Sequence, residues 1–399
     1  MSKEPWLTFI GMGEDGADGL SPASLNAIKT AKKIYGAKRL IDLLENPDDK
    51  RIRVWPIPFA DGIPELLQHR GEACVMLVSG DPFWYGAGRT ITRHIERHEW
   101  HSIVGVSVFS RAASELGWPL EETTCLGLHA APLSRLRSHL STKERLLVTL
   151  RDGAHVKDAM LFLLENGFGD SRCTILEALG GASQRIRKCR ASAYDLEDVM
   201  HPVILGIEAE GEGALPFISG LADDAFEHDG QITKRRIRAI TLSTLAPKAG
   251  ELLWDIGSGS GSIAIEWLRA HPRCKAIAIE QHSTRLERIT RNADRLGMDR
   301  LQTIEGRAPE CLSNLAHPNA VFIGGGLSEE LLQTVSKLCE QGVRLVVNSV
   351  TLETDALVSK WHKSLGGDLW RIELAQAQPL GQKTGWKTAY PVLQWSVTL

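Results

Sequence analysis

The chain has 399 residues, 43% hydrophobic and 24% charged, which is room for two domains of the usual size of about 100 to 200 residues and unlike the composition of a disordered chain. Its net charge of −3 argues against nucleic acid as the main ligand, because neutralising a phosphate backbone takes a basic face, and no run reaches the roughly 18 apolar residues of a membrane span. The start MSKEPWL lacks a secretory signal and the seven cysteines form no C-x-x-C pair, so a cytoplasmic protein with reduced thiols and no metal is expected.

Short β-branched apolar segments alternate with amphipathic stretches throughout, the pattern of parallel α/β sheets. Leu7 to Ile10, Ile52 to Ile57, Ala73 to Val78 and Ile103 to Val108 read as strands, and Pro22 to Ile34 as a helix capped by Ser21 with proline at its first position. Thr123 to Leu128, Leu146 to Leu150, Thr174 to Leu179 and Val203 to Ile207 form a second strand set, with a helix at Val156 to Glu165. Two small α/β lobes in series follow from this, occupying residues 1–210. The stretch from Glu208 to Asp229 is rich in glycine and acid and has little periodicity, so residues 211–229 read as a linker. A second domain is expected over 230–399. It opens with a helix from Lys234 to Leu245 and continues with strands at Leu252 to Ile256, Ala276 to Ile279, Leu301 to Ile304, Ala320 to Ile323 and Leu345 to Asn348. It ends in Leu369 to Ala375 and Pro391 to Thr398, two strands joined by a long loop.

The most specific motif is W-D-I-G-S-G-S-G-S, which places Asp255, Gly257, Ser258, Gly259, Ser260 and Gly261 between a predicted strand and a predicted helix. Glycines there let the backbone turn tightly and approach a ligand where a Cβ would collide. Glu280 ends the next strand, where a carboxylate can accept hydrogen bonds from ribose hydroxyls. An adenosine-type ligand follows. The dinucleotide fingerprint G-x-G-x-x-G fails, since its sixth position is Ser262 counted from Gly257 and Ala264 counted from Gly259. The observed G-x-G-x-G instead resembles the S-adenosylmethionine loop of class I (Rossmann-like) methyltransferases, and that resemblance implies an adenine contact at Ala308 in E-G-R-A-P-E.

In the first half, Gly11 and Gly13 follow the first strand, and Ser79-Gly80-Asp81-Pro82-Phe83-Trp84-Tyr85-Gly86 follows the apolar strand ending at Val78. Both lie at strand carboxyl ends, where α/β sheets bind ligands. The pair resembles the tetrapyrrole methylase family, whose two lobes hold S-adenosylmethionine between them. The resemblance implies cofactor contacts from Gly11, Gly13, Gly80, Asp81, Pro82 and Gly86, and from Ala178 and Leu179 in L-E-A-L-G-G. The family's Pro-Gly-x-Ser-Ser element has only a partial counterpart in Val108 to Ser114, through Ser110.

A tetrapyrrole methylase followed by a class I domain resembles the decarboxylating precorrin C5,15-methyltransferases of the CobL type, a fusion of CbiE-like and CbiT-like units. Gln231-Ile232-Thr233-Lys234, Gly324-Gly325-Gly326 and Val350 to Thr354 resemble the CbiT-like half, with Thr233 touching the cofactor. The resemblance implies one S-adenosylmethionine per domain and methylation of a precorrin at C5 by the first half. It gives C15 methylation and decarboxylation of the ring C acetate (C12) to the second, together taking precorrin-6B to precorrin-8 in cobalamin synthesis. It also implies a homo-oligomer. Such a substrate carries many carboxylates, for which Arg111, Lys234, Arg235, Arg236, Lys383 and Lys387 are candidate partners, with Arg238 in the same cluster. No side chain stands out as a general base, and methyl transfer to an electron-rich carbon does not require one, because orientation alone supplies about 7 to 11 kcal/mol. The alternative is an RNA methyltransferase, disfavoured by 46 basic against 49 acidic residues and the absence of aromatic-basic interleaving.

Overall fold

The computed structural model describes residues 5–399, in two compact units. The first takes the chain up to Leu133 together with His139–Ala214, and the second takes Ser134–Ser138 with Leu215–Leu399.

The first unit contains two sheets. Strands β1 (Leu7–Met12), β2 (Lys33–Gly36), β3 (Ile52–Val54), β4 (Cys74–Ser79) and β5 (Trp100–Ile103) form a parallel sheet in the order β3-β2-β4-β1-β5. Leu7, Phe9 and Ile10 are all fully buried, which is what a strand covered on both faces requires. Strands β6 (Thr123–Gly127), β7 (Arg145–Leu150), β8 (Arg172–Glu177), β9 (Arg185–Arg190) and β10 (Val203–Glu208) form the second sheet in the order β6-β7-β10-β8-β9, antiparallel except for β6 on β7.

The second unit is built on a seven-stranded sheet. Its strands are β11 (Leu252–Ile256), β12 (Lys275–Glu280), β13 (Gln302–Glu305), β14 (Ala320–Ile323), β15 (Arg344–Ser349), β16 (Asp368–Ile372) and β19 (Val392–Thr398), and between the last two runs a separate hairpin of β17 (Ala375–Leu380) and β18 (Lys383–Thr388). The order is β13-β12-β11-β14-β15-β19-β16, with β19 antiparallel to both neighbours. The chain therefore winds outward from β11 to β13 and restarts on the other side at β14. That reversal opens a crevice above the carboxyl ends of β11 and β14, the place where open α/β sheets take ligands.

Several elements differ from the pattern the sequence predicts. Ser21 does cap the helix that starts at Pro22, accepting from the Ser24 amide at 3.1 Å, but the helix stops at Thr30. Lys33–Gly36 is strand β2, because Ile34 and Tyr35 are buried in the sheet core and that burial overrides helical periodicity. The fifth strand is Trp100–Ile103, not Ile103 to Val108: Ser107 caps a helix Val108–Leu116 by accepting from Ser110 N at 3.0 Å. The basic strand Arg185–Arg190 was not anticipated, and the long final loop contains the β17–β18 hairpin. Within the segment read as a linker, Leu221 and Phe226 are buried in the second unit's core beside Leu242 and Trp267.

Candidate functional site

In the second unit the loop after β11 is shaped by left-handed glycines, with φ of 70° at Gly257, 59° at Gly259 and 75° at Gly261, a region that costs other residues about 1 to 2 kcal/mol. A Cβ on Gly257 would lie 2.7 Å from the Gly325 carbonyl oxygen, so two glycine loops, after β11 and after β14, pass each other at backbone contact. Glu280, 4% exposed at the end of β12, is held by two amides: Gly259 N donates to Oε2 at 3.0 Å and His282 N to Oε1 at 3.1 Å. Asp255 is buried. Its Oδ2 accepts from Ala264 N at 3.1 Å while Oδ1 has no partner, and burial pushes its pKa up to about 7. A buried oxygen without a donor beside a glycine cradle fits a polar ligand that brings its own donor.

These residues border a cavity of about 1380 Å³. Asp255, Gly257, Ser258, Gly259, Glu280 and Ala308 line it on the β11–β13 side, Thr233 and Lys234 line it from the start of the helix Arg235–Leu245, and Gly324, Gly325, Gly326 and Lys387 complete that set. Ser260 and Gly261 stand behind the wall. Ser260 offers its carbonyl to Asn292 Nδ2 at 2.9 Å, and Gly261 packs against Ile289. Arg235 and Arg236 are exposed and, like Lys383 at the hairpin tip, do not line the cavity.

Arg238 is no surface base. It is fully buried, with Nε 2.6 Å from Glu266 Oε1 and Nη1 donating to the Thr233 carbonyl at 2.6 Å, while Glu266 also accepts from the amides of Gly220 and Leu221. The pair therefore fixes the segment carrying Thr233 against the helix Ser262–Ala270, which a sequence cluster of four basic residues does not disclose. Also missed was Asn348, which lines the cavity from the end of β15.

In the first unit, Gly11, Gly80 and Gly105 meet where β1, β4 and β5 end. A Cβ on Gly11 would lie 1.8 Å from the Gly80 oxygen and 2.3 Å from Gly105 N. Ser107 caps the helix Val108–Leu116, so the stretch Val108 to Ser114 is helical. Asp81 closes its own turn, its Oδ1 accepting from Phe83 N at 2.8 Å, and Gly86 approaches the Pro82 carbonyl. Arg111 pairs with Asp15 and passes close to both Gly13 and Gly180. It ties the loop after β1 to the loop after β8, where Ala178 has φ 44° and both Ala178 and Leu179 are buried. Asp15 Oδ1 and Arg111 Nε are buried without partners, polar capacity of the kind a ligand between these loops would use. His94, His98 and His101 have a spacing that would share a helix face, but all three are exposed, and among the described residues no group of three or more His, Cys, Asp or Glu side chains gathers into a metal site.

The precorrin methyltransferase domain model matches residues 224–399, and the tetrapyrrole (corrin/porphyrin) methylase model matches residues 6–195. A precorrin-6Y C(5,15)-methyltransferase [decarboxylating] of a Sinorhizobium species is 45% identical over 99% of this chain and 96% of its own length. The protein of the same name from Mycobacterium tuberculosis (strain CDC 1551 / Oshkosh) is 34% identical over 98% of this chain and 99% of its own. The crystal structure of the C-terminal domain of precorrin-6Y C5,15-methyltransferase from Rhodobacter capsulatus is 46% identical, covering 46% of this chain and all of that one, with a TM-score of 0.45.

Proposed function

Because this chain belongs to the family of decarboxylating precorrin-6Y C5,15-methyltransferases, we propose that each half holds its own S-adenosylmethionine, the first methylating C5 of the macrocycle and the second methylating C15 and releasing the ring C acetate as carbon dioxide. The enzyme is a methyltransferase of cobalamin biosynthesis and its acceptor is a precorrin. We divide it into a methylase half over 1–210 and a class I half over 230–399, and of the intervening 211–229, Leu221 and Phe226 already pack in the core of the second half.

The observation that carries this reading is the cavity of the second unit. At about 1380 Å³ it exceeds the roughly 300 to 1,000 Å³ of ordinary small-ligand sites, which suits an adenosine-type cofactor and a macrocycle together. S-adenosylmethionine, when bound, supplies an activated methyl group on a sulfonium. Glu280, already oriented by two amides, accepts the ribose hydroxyls, the glycine backbones of 257 and 259 admit the ligand at contact distance, and Ala308 faces the adenine. Lys234 and Lys387 meet acceptor carboxylates, whereas Arg235, Arg236 and Lys383 stand outside the lining. In the first unit Gly11, Gly13, Gly80, Asp81, Pro82 and Gly86 with Ala178 and Leu179 surround the corresponding site, and Arg111, committed to Asp15, braces its loops rather than meeting a substrate carboxylate. Self-association, on the family resemblance, and a cytoplasmic location, on seven free cysteines, complete the reading.

Titration of the full chain with S-adenosylhomocysteine tests it. Two sites per chain are expected, and a single site would remove the assignment of a donor to each half.

A further inference from the structure

The acceptor carries several carboxylates and loses one, so something in the second unit must single that one out. The cations of the cavity, Lys234, Arg285, Arg307 and Lys387, all come from helices, loops or the hairpin around the sheet. The lining side chains from the ends of β15, β16 and β19 are instead neutral, namely Asn348, Val350, Ile372, Leu374 and Val392, while Arg371 and Glu373 at the end of β16 pair with each other outside the lining. Adjacent strands lie about 4.8 Å apart, which puts β15, two strands from β11, roughly 10 Å along the sheet from the cofactor loop, on the acceptor's side of the glycines after β14.

Asn348 is the sole hydrogen-bonding side chain in that neutral group, and its amide is held in one orientation. Thr241 Oγ1 donates to the Ile237 carbonyl at 2.8 Å, so toward Asn348 it can only accept, and Asn348 Nδ2 lies 2.9 Å away. Gln394, 2% exposed, donates from Nε2 to Asn348 Oδ1 at 2.9 Å. A primary amide has two N–H groups, and Thr241 takes one. The other is left for the cavity.

We propose that Asn348 holds the carboxylate that leaves, and that it does so because it is neutral. A carboxylate beside Lys234, Arg307 or Lys387 is stabilised as an anion and kept. One placed among Val350, Ile372, Leu374 and Val392 with a single amide N–H is oriented but has no cation beside it to hold its charge, which favours the charge-dispersed transition state of its loss. In that step the bond between the acetate methylene and its carboxyl carbon breaks, its electron pair enters the conjugated ring that methylation has made electron-poor, and carbon dioxide departs. The methylene carbon then takes a proton from water and the methylated meso carbon gives one up. Thr241 and Gln394 are positioning residues for Asn348.

This inference rests on the function proposed above, and the test separates the two. The full chain, its Asn348→Asp variant and its Asn348→Ser variant are incubated with precorrin-6B and S-adenosylmethionine, measuring carbon dioxide released per S-adenosylhomocysteine formed, with melting temperature and S-adenosylhomocysteine affinity recorded alongside. Asn348→Asp keeps the shape but turns a carboxylate against a carboxylate, and Asn348→Ser serves if that variant melts early. The ratio should fall at least about tenfold in either, the loss expected of one hydrogen bond to a charged group, and a methylated, undecarboxylated product should accumulate. Lys387→Ala should raise KM and leave the ratio alone. An unchanged ratio in both folded Asn348 variants overturns the proposal, as does parallel loss of both products. A wild-type chain that neither methylates nor decarboxylates would refute the underlying function instead.

Discussion

Replacing Glu280 with glutamine tests the cofactor site proposed for the second unit at one atom. The carboxylate is 4% exposed and each oxygen already accepts an amide, from Gly259 at 3.0 Å and from His282 at 3.1 Å. Glutamine keeps one oxygen and turns an NH2 toward the other amide, so a buried N–H loses its acceptor, at about 1 to 3 kcal/mol. The ribose loses its charged acceptor as well, about 1.5 to 3 kcal/mol offset in part by a neutral hydrogen bond. S-adenosylhomocysteine should therefore bind this crevice about 10- to 150-fold more weakly, while calorimetry of the same sample shows the first unit's affinity unchanged. The loop cost alone should lower the melting temperature of the second unit by roughly 3 to 10 °C. Wild-type affinity in both sites, or equal weakening of both, would refute the placement of the ribose at Glu280.

Gly257→Ala forces a φ of 70° on alanine and drives a Cβ to 2.7 Å from the Gly325 oxygen, and should abolish donor binding in the second unit alone, read by the same titration. Arg238→Met leaves the buried Glu266 carboxylate without its cation and should cost about 3 to 5 kcal/mol; in chemical denaturation the double variant Arg238→Met/Glu266→Gln should lose less than the sum of the two single variants. Asp255 is held near a pKa of about 7 against 3.8 for the ordinary group, so between those values the folded state keeps a proton that the unfolded state has released, and its contribution to stability falls as pH rises through that window and is level above it. Asp255→Asn should therefore gain stability relative to wild type from pH 4 to 7, by up to about 4 kcal/mol, and a pH-independent difference in melting temperature would contradict the burial of that carboxyl. Lys387→Ala should raise the precorrin KM about 3- to 30-fold with donor affinity intact, whereas Lys383→Ala should leave KM alone.

Much of the second site is legible in sequence because its signal is local. The glycines 257, 259 and 261 sit within one strand-turn-helix unit, and Glu280 ends the adjoining strand, so spacing alone brings them to one crevice. What was illegible depends on distant partners. Arg238 has the look of an exposed base until Glu266, 28 positions away, is folded against it. Asn348 depends on Thr241 and Gln394, separated from it by 107 and 46 positions. Strand β2 is four residues long and follows a helix directly, too short for a period of two to stand out. The β17–β18 hairpin is exposed along most of its length and so lacks the apolar alternation that marks a strand with a buried face.

The most direct test is the mass of the product made by the full chain from precorrin-6B and S-adenosylmethionine. A gain of two methyl groups with loss of one carbon dioxide is predicted. Recovery of unchanged precorrin, with donor bound and the protein folded, would contradict the assignment of this chain as a methyltransferase that decarboxylates.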